Sequence, residues 1–213
     1  TTDSRTAELC KLAENAYRDV NIAYANELSM ICDRFQIDAK ELILLANLHP
    51  RVNILQPGPG VGGHCIPVDP WFIIHGAQNE SRLIRSARNV NLSKTKWVVE
   101  KIRNHLQQRL LRPPERSAKE LTIAFLGLTF KPDVDDLRES PAVEIALEVA
   151  QSHPGEVWAV DPYVDQLPES LKGRVRLTDL AYARAKADIL VLLVRHAAFI
   201  SVSKESQDFL DFA

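Results

Sequence analysis

Apolar residues recur at helical spacing through the first half of the chain. Leu9, Leu12, Ala16, Val20, Ala23, Leu28 and Ile31 follow a period close to 3.6, with no Pro or Gly between them. One long helix over residues 4–34 is therefore expected. Asp38 stands before a second apolar run as an N-cap, and Glu41, three residues on, completes a capping box. That helix must stop before Pro50. Residues 50–63 lose all periodicity and are rich in Gly and Pro, so they read as an irregular loop. A short third helix is expected from about Asp69. A fourth is expected from about Glu80 to Leu111, carrying Leu83, Ile84, Ala87, Val90, Val98 and Ile102.

The pattern then changes. Arg112-Pro113-Pro114-Glu115-Arg116-Ser117 reads as a linker. Beyond it, short continuous apolar runs at 121–126, 157–160 and 189–194 alternate with helical stretches at 141–151 and 178–187. Ser140 and Pro141 supply an N-cap and a first-position proline for the first of these. Strands apolar on both faces, separated by helices, imply a parallel, doubly wound sheet. The tail after Phe199 has room for one more element. The expected organisation is a helical domain over 1–112 and an α/β domain over 118–213, with no internal repeat.

Composition narrows the function. With 213 residues, 46% hydrophobic and 25% charged, the chain can bury real cores. A net charge of −2 provides no basic field for nucleic acid or a membrane surface. No apolar run approaches the ~18 residues a membrane span needs. The cysteines are Cys10, Cys32 and Cys65. The first two share the long helix, roughly 33 Å apart at 1.5 Å per residue, and read as packing residues out of disulfide reach. A reduced, cytoplasmic protein is expected. No Cys-x-x-Cys or paired-His spacing suggests a metal. The chain opens on polar residues rather than Met, as expected of part of a longer polypeptide.

Candidate chemistry concentrates in Gly62-Gly63-His64-Cys65-Ile66-Pro67-Val68-Asp69-Pro70-Trp71. Pro67 and Pro70 keep this stretch irregular, and a thiol in a rigid open loop suits a nucleophile as well as a small buried residue. Asp69 is close enough in sequence to serve the same centre. Gly58-Pro59-Gly60-Val61-Gly62-Gly63 satisfies G-x-G-x-x-G literally, but it lacks the preceding strand and following helix of a dinucleotide fingerprint. Glycines such as Gly62 instead allow a ligand to approach the backbone closely. On the first helix, Lys11, Asn15 and Arg18 span roughly 60° of one face. That stripe fits either a solvated surface or a site for an anionic or hydroxyl-rich ligand. In the second half, Lys131 and Arg138 lie between the first strand and the helix at Ser140, on the edge where doubly wound sheets bind ligands.

Three segments, Lys11 to Ala23, Gly58 to Trp71 and Gly127 to Pro141, resemble the UDP-glucose/GDP-mannose dehydrogenase family. The stretch HPRVNILQPGPGVGGHCIPVDPWF most resembles its UDP-N-acetylhexosamine branch. The resemblance covers the chain in order and implies α/β architecture: a central helical dimerisation domain, then a Rossmann-like UDP-sugar domain. It implies NAD as cofactor, bound mainly by an N-terminal domain that has no counterpart here, so this chain alone is expected to be inactive. Its partners would be a UDP-N-acetylhexosamine substrate and a second copy in a homodimer. By the same resemblance Cys65 is the nucleophile, Lys11 and Asn15 handle the oxyanion and protons, and Asp69 assists hydrolysis. Arg18, Phe130 and Lys131 would contact substrate, His49 and Arg51 would reach it across the dimer, and Arg138 would lie near cofactor phosphates. Alternatives are another UDP-hexose or UDP-N-acetylhexosamine as substrate, or a non-catalytic dimerisation and nucleotide-sugar-binding module.

Overall fold

A computed structural model describes residues 3–112, 116–202 and 208–213. Pro113, Pro114 and Glu115 of the expected linker lie outside the described residues. The chain forms two compact units that part between Lys94 and Thr95.

The first unit is helical. α1 runs Ser4–Phe35, capped by the Asp3 carboxylate, which accepts the Thr6 N–H. It closes on Gln36 in the left-handed region (φ 58°), whose N–H returns to carbonyls of the last turn. α2 (Ala39–Ala46) is capped by Asp38, α3 spans Asp69–Gly76, and α4 begins at Arg82 and runs to Leu110. The buried face of α1 is Asn15, Ala16, Asp19, Ala23 and Asn26, whereas Leu9 and Ile31 are exposed. Spacing of apolar residues alone therefore placed the face imperfectly, because three of its members are polar and hydrogen-bonded to side chains of other elements.

α4 changes character along its length. Its first half buries Ala87, Arg88, Asn91 and Lys94, with Leu83 exposed, and its second half buries Val98, Val99, Ile102 and Leu106. The second half packs into the core of the α/β unit. Residues 95–110 thus belong with the sheet and not, as a boundary at 112–118 implied, with the helical unit.

The second unit is a five-stranded parallel sheet in the order β3-β2-β1-β4-β5. Its strands are β1 (Ile123–Leu126), β2 (Val157–Val160), β3 (Arg176–Leu177), β4 (Ile189–Leu192) and β5 (Asp208–Asp211). Alternate residues of β1 feed two cores. Ile123 and Phe125 join α4 and α5 (Pro141–Ser152), and Ala124 and Leu126 join the side of α6 (Leu180–Lys186). Strands clad on both faces explain the unbroken apolar runs. β5 is the expected last element. β3, two residues long, has no sequence signature. Leu126, Val160 and Leu192 are in register, so β1, β2 and β4 end level and release their loops along one edge. Gly127 opens the first of these at φ 88°, and a Cβ there would lie 2.5 Å from the Val194 Cβ. Only glycine fits.

Candidate functional site

The cysteine loop is fastened by two asparagines. Asn47, closing α2, donates to the Ile54 carbonyl (2.9 Å) and accepts the Ile54 N–H (2.7 Å). Asn26 on α1 accepts the Gly58 N–H at 2.9 Å. The loop then turns at Cys65, whose carbonyl accepts the N–H groups of Val68 (3.2 Å) and Asp69 (2.8 Å). That turn starts α3 and sets Asp69 one turn beyond the thiol. The Asn15 amide donates to Asp69 Oδ2 at 2.6 Å, tying α3 to α1 across 54 residues. The Cys65 thiol is exposed.

The sequence-derived residues separate in space. Asn15 is buried and joined to Asp69, which the chain turn joins to Cys65. Lys11 is exposed and paired with Glu14 at 3.3 Å, and Arg18 is exposed too. The stripe over Lys11, Asn15 and Arg18 is therefore split, with one member inward. His49 and Arg51 are exposed on the turn after α2, where His49 Nδ1 accepts the Arg51 N–H at 3.2 Å. Gly62 is half-buried.

Beneath the loop lies a network that sequence reasoning missed. Asp19, fully buried, accepts from Arg88 Nη1 at 2.5 Å and from Asn91 Nδ2 at 2.8 Å. Asn26 Nδ2 donates to Asn91 Oδ1 (2.9 Å), so hydrogen bonds run from this ion pair to Gly58. Burial pushes the Asp19 carboxyl above its ordinary range, against the pull of Arg88 and Asn91. The available signal was positional: Asp19 and Asn26 fall in step with Ala16 and Ala23.

In the second unit the level strand ends gather a second constellation. The loop after β1 carries Phe130 and Lys131, with Lys131 Nζ 5.4 Å from the Phe130 ring centroid and exposed. Arg138 is exposed, and its Nε and Nη2 are engaged by Asp136. Ser140 caps α5 and donates from Oγ to the Leu128 carbonyl at 2.6 Å, fixing that helix N-terminus beside the loop. Asp161, the residue after β2, accepts the Leu128 N–H (2.7 Å) and Tyr163 N–H (2.9 Å), with His196 Nε2 at 3.1 Å. An open cavity of about 470 Å³ lies along the same edge, lined in part by Asp161, Asp165, Thr178, Asp179 and Phe199. Its acidic lining disfavours phosphate, which leaves Lys131, Arg138 and the α5 N-terminus as the anion-attracting part of this edge.

Burial alone would raise the Asp161 carboxyl, but the bonds from His196, Leu128 and Tyr163 outweigh it and hold it below the ordinary value. Folding therefore favours its ionised form. The stability it contributes is present above about pH 4 and is lost as pH falls through the lowered folded value. Asp161→Asn puts an amide among the three main-chain N–H groups that point at the carboxylate, those of Leu128, Thr129 and Tyr163, and is expected to cost about 1 to 3 kcal/mol at pH 7. The deficit should shrink toward pH 2. Urea melts across that range check both the size and the sign.

Residues 5–93 match the central domain of the UDP-glucose/GDP-mannose dehydrogenase family, and residues 124–210 match its UDP binding domain. The chain belongs to this family. It is 57% identical over 204 residues to the UDP-N-acetyl-D-mannosamine dehydrogenase of Yersinia pestis, covering 96% of this chain and 48% of that protein. It is 54% identical to an NDP-N-acetyl-D-galactosaminuronic acid dehydrogenase of Ralstonia solanacearum, over 93% of this chain and 44% of that protein. A solved UDP-N-acetyl-mannosamine dehydrogenase from S. aureus superposes with a TM-score of 0.78 at 38% identity, covering 99% of this chain and 52% of that one. The chain thus spans about half the length of the dehydrogenases it matches. Both family domains coincide with the two constellations: the Cys65 loop lies in the first and the Lys131 loop in the second. Among the described residues no helix is long and apolar enough to cross a membrane, and no group of three His, Cys, Asp or Glu could hold a metal.

Proposed function

We propose that this chain supplies the central and UDP-sugar parts of an NAD-dependent UDP-N-acetyl-D-mannosamine dehydrogenase. Such an enzyme oxidises the C6 alcohol to a carboxylate in two steps, giving UDP-N-acetyl-D-mannosaminuronate. The observation that carries the reading is the Asn15–Asp69 bond of 2.6 Å, which holds a carboxylate one turn beyond an exposed cysteine in a chain that matches both family domains. NAD supplies the hydride acceptor for both oxidations. Among the described residues the one that fits a contact with its phosphates is Arg138, whose exposed guanidinium has no described partner at Nη1. The remaining cofactor contacts belong to a dinucleotide-binding domain.

The chain's own residues divide the chemistry. Lys11 assists removal of the alcohol proton and stabilises the developing oxyanion. Its surface pair with Glu14 is weak enough to give way to substrate. Cys65 Sγ adds to the aldehyde carbon, and the resulting thiohemiacetal is oxidised to a thioester. Asp69, oriented by Asn15, assists attack of water on that thioester. Phe130 and Lys131 take the uridine diphosphate, with Arg18 and Gly62 at the sugar. A homodimer brings His49 and Arg51 of each copy to the other's substrate. Its support is a seam of exposed Tyr17, Tyr24 and Ile31 on α1, seven residues apart, which a second copy would cover. A galacto-configured N-acetylhexosamine is a second substrate reading, favoured by the 54% identity to the Ralstonia dehydrogenase. A comparison of oxidation rates on the two epimers separates the readings.

Calorimetry on this chain tests the assignment. UDP or a UDP-N-acetylhexosamine is expected to bind without NAD, and NAD alone to bind little. Lys131→Ala should weaken UDP by about 1 to 3 kcal/mol, as for loss of a charge-assisted bond to phosphate. Tight NAD binding with no UDP binding would make the second unit the dinucleotide site and overturn the proposal.

A further inference from the structure

We propose that His196 is the positioning residue for Lys131. It acts through a neutral imidazole that accepts at Nδ1 and donates at Nε2. This rests on the reading of the Lys131 loop as the UDP site.

The tautomer follows from the partners. The Asp133 N–H can only donate, and it points at His196 Nδ1 at 3.0 Å, so Nδ1 carries no proton. The ring proton is then on Nε2, which lies 3.1 Å from Asp161 Oδ2 and 3.2 Å from Thr129 Oγ1. Thr129 gives its own hydroxyl proton to the Lys131 carbonyl at 3.0 Å, so towards the ring it can only accept. One fully buried ring therefore grips the loop on both sides of Lys131-Pro132: through Thr129 to the Lys131 carbonyl, and directly at Asp133. Asp161 adds the Leu128 and Thr129 N–H groups to the same carboxylate oxygen that faces the ring.

Position 133 shows what the grip holds. Asp133 is a non-glycine residue at φ 58°, a conformation that needs outside support. It is supported at its N–H by His196 and at its carboxylate by the Ala197 N–H (3.0 Å) and the Tyr163 hydroxyl (3.1 Å). Pro132 has a fixed φ and no N–H, so Lys131 is aimed by the bonds at 129, 131 and 133, with the Phe130 N–H to the Asp136 carbonyl (3.0 Å) closing the loop around them. The main chain is locked while the Lys131 side chain stays exposed. That arrangement suits a cation held ready for a phosphate at the ligand edge of the sheet.

Two substitutions split the ring's functions. In His196→Asn the side-chain oxygen can occupy the Nδ1 place and keep the Asp133 bond. In His196→Gln the amide can occupy the Nε2 place and keep the Asp161 and Thr129 bonds, but it abandons Asp133. With UDP as probe and calorimetry on the whole chain, His196→Gln should bind about tenfold more weakly, and His196→Asn within about threefold of wild type. Their thermal midpoints should be similar, which a purely structural role would not separate from affinity. In a Lys131→Ala background the His196→Gln loss should disappear, because the residue it aims is gone. If His196→Gln does not fold, Thr129→Val removes the hydroxyl between the ring and the Lys131 carbonyl and should show the same dependence on Lys131. Wild-type UDP binding with unchanged affinity in these variants would overturn the proposal, as would a loss that persists undiminished without Lys131. No UDP binding by wild type would instead remove the functional reading, and the proposal with it.

Discussion

Replacing Cys65 by serine, in a protein joining this chain to the family's NAD-binding domain, is expected to abolish uronic acid formation. The effect should exceed about 10³-fold, as for removal of a covalent nucleophile. In the proposed route the thiol adds to an aldehyde and leaves from a thioester, and a serine hydroxyl, far less acidic and a poorer leaving group, does neither well at neutral pH. The exposed position of Cys65 gives substrate access, and the turn closed by its own carbonyl keeps Asp69 next to it. Serine should leave that turn intact, because the carbonyl is main chain. A normal melting midpoint with no acid product is therefore the expected pair of results. The other two cysteines serve as controls. Cys10 is exposed, although its helical position suggested packing, and Cys32 is buried. Cys10→Ser should change neither activity nor stability, and Cys32→Ser only stability. Near-normal acid production by Cys65→Ser would rule out the covalent route.

Arg88→Met is expected to destabilise the helical unit by about 3 to 5 kcal/mol, the cost of leaving a buried carboxylate without its counter-ion. Asp19 and Arg88 are 0% and 2% exposed at their side chains and meet at 2.5 Å. Asp19 already sits above its ordinary range through burial, with Arg88 pulling it down. A raised folded value means that stability is greatest below the unfolded value and falls as pH rises through the folded one. Without Arg88 the rise is larger, so the deficit should be full at pH 7 and shrink towards pH 4. The double variant Asp19→Asn, Arg88→Met should recover much of the loss, since no buried charge remains. Urea midpoints followed by helical circular dichroism at the two pH values give all three comparisons. A deficit independent of pH would mean that packing, and not the charge, is what Arg88 provides.

The sequence by itself determined the elements. Helical periodicity located α1, α2 and α4, the Asp38 and Ser140 caps marked where α2 and α5 begin, and continuous apolar runs located β1, β2 and β4. These signals are local, since burial of one face writes a period into neighbouring residues. The Cys65 loop was legible for the same reason, because Gly and Pro restrict their own backbone. Tertiary structure alone decided which polar residues turn inward. Asp19 finds Arg88 across 69 residues, and Asp161 finds His196 across 35. Nothing in the neighbourhood of either partner announces the pairing, and an unpaired Asp in a helix reads as surface. The same limit explains the split of the Lys11, Asn15 and Arg18 stripe, where only Asn15 meets a partner from α3. It also explains the true place where the units part, since the two halves of α4 differ in what packs on them and not in their helical period.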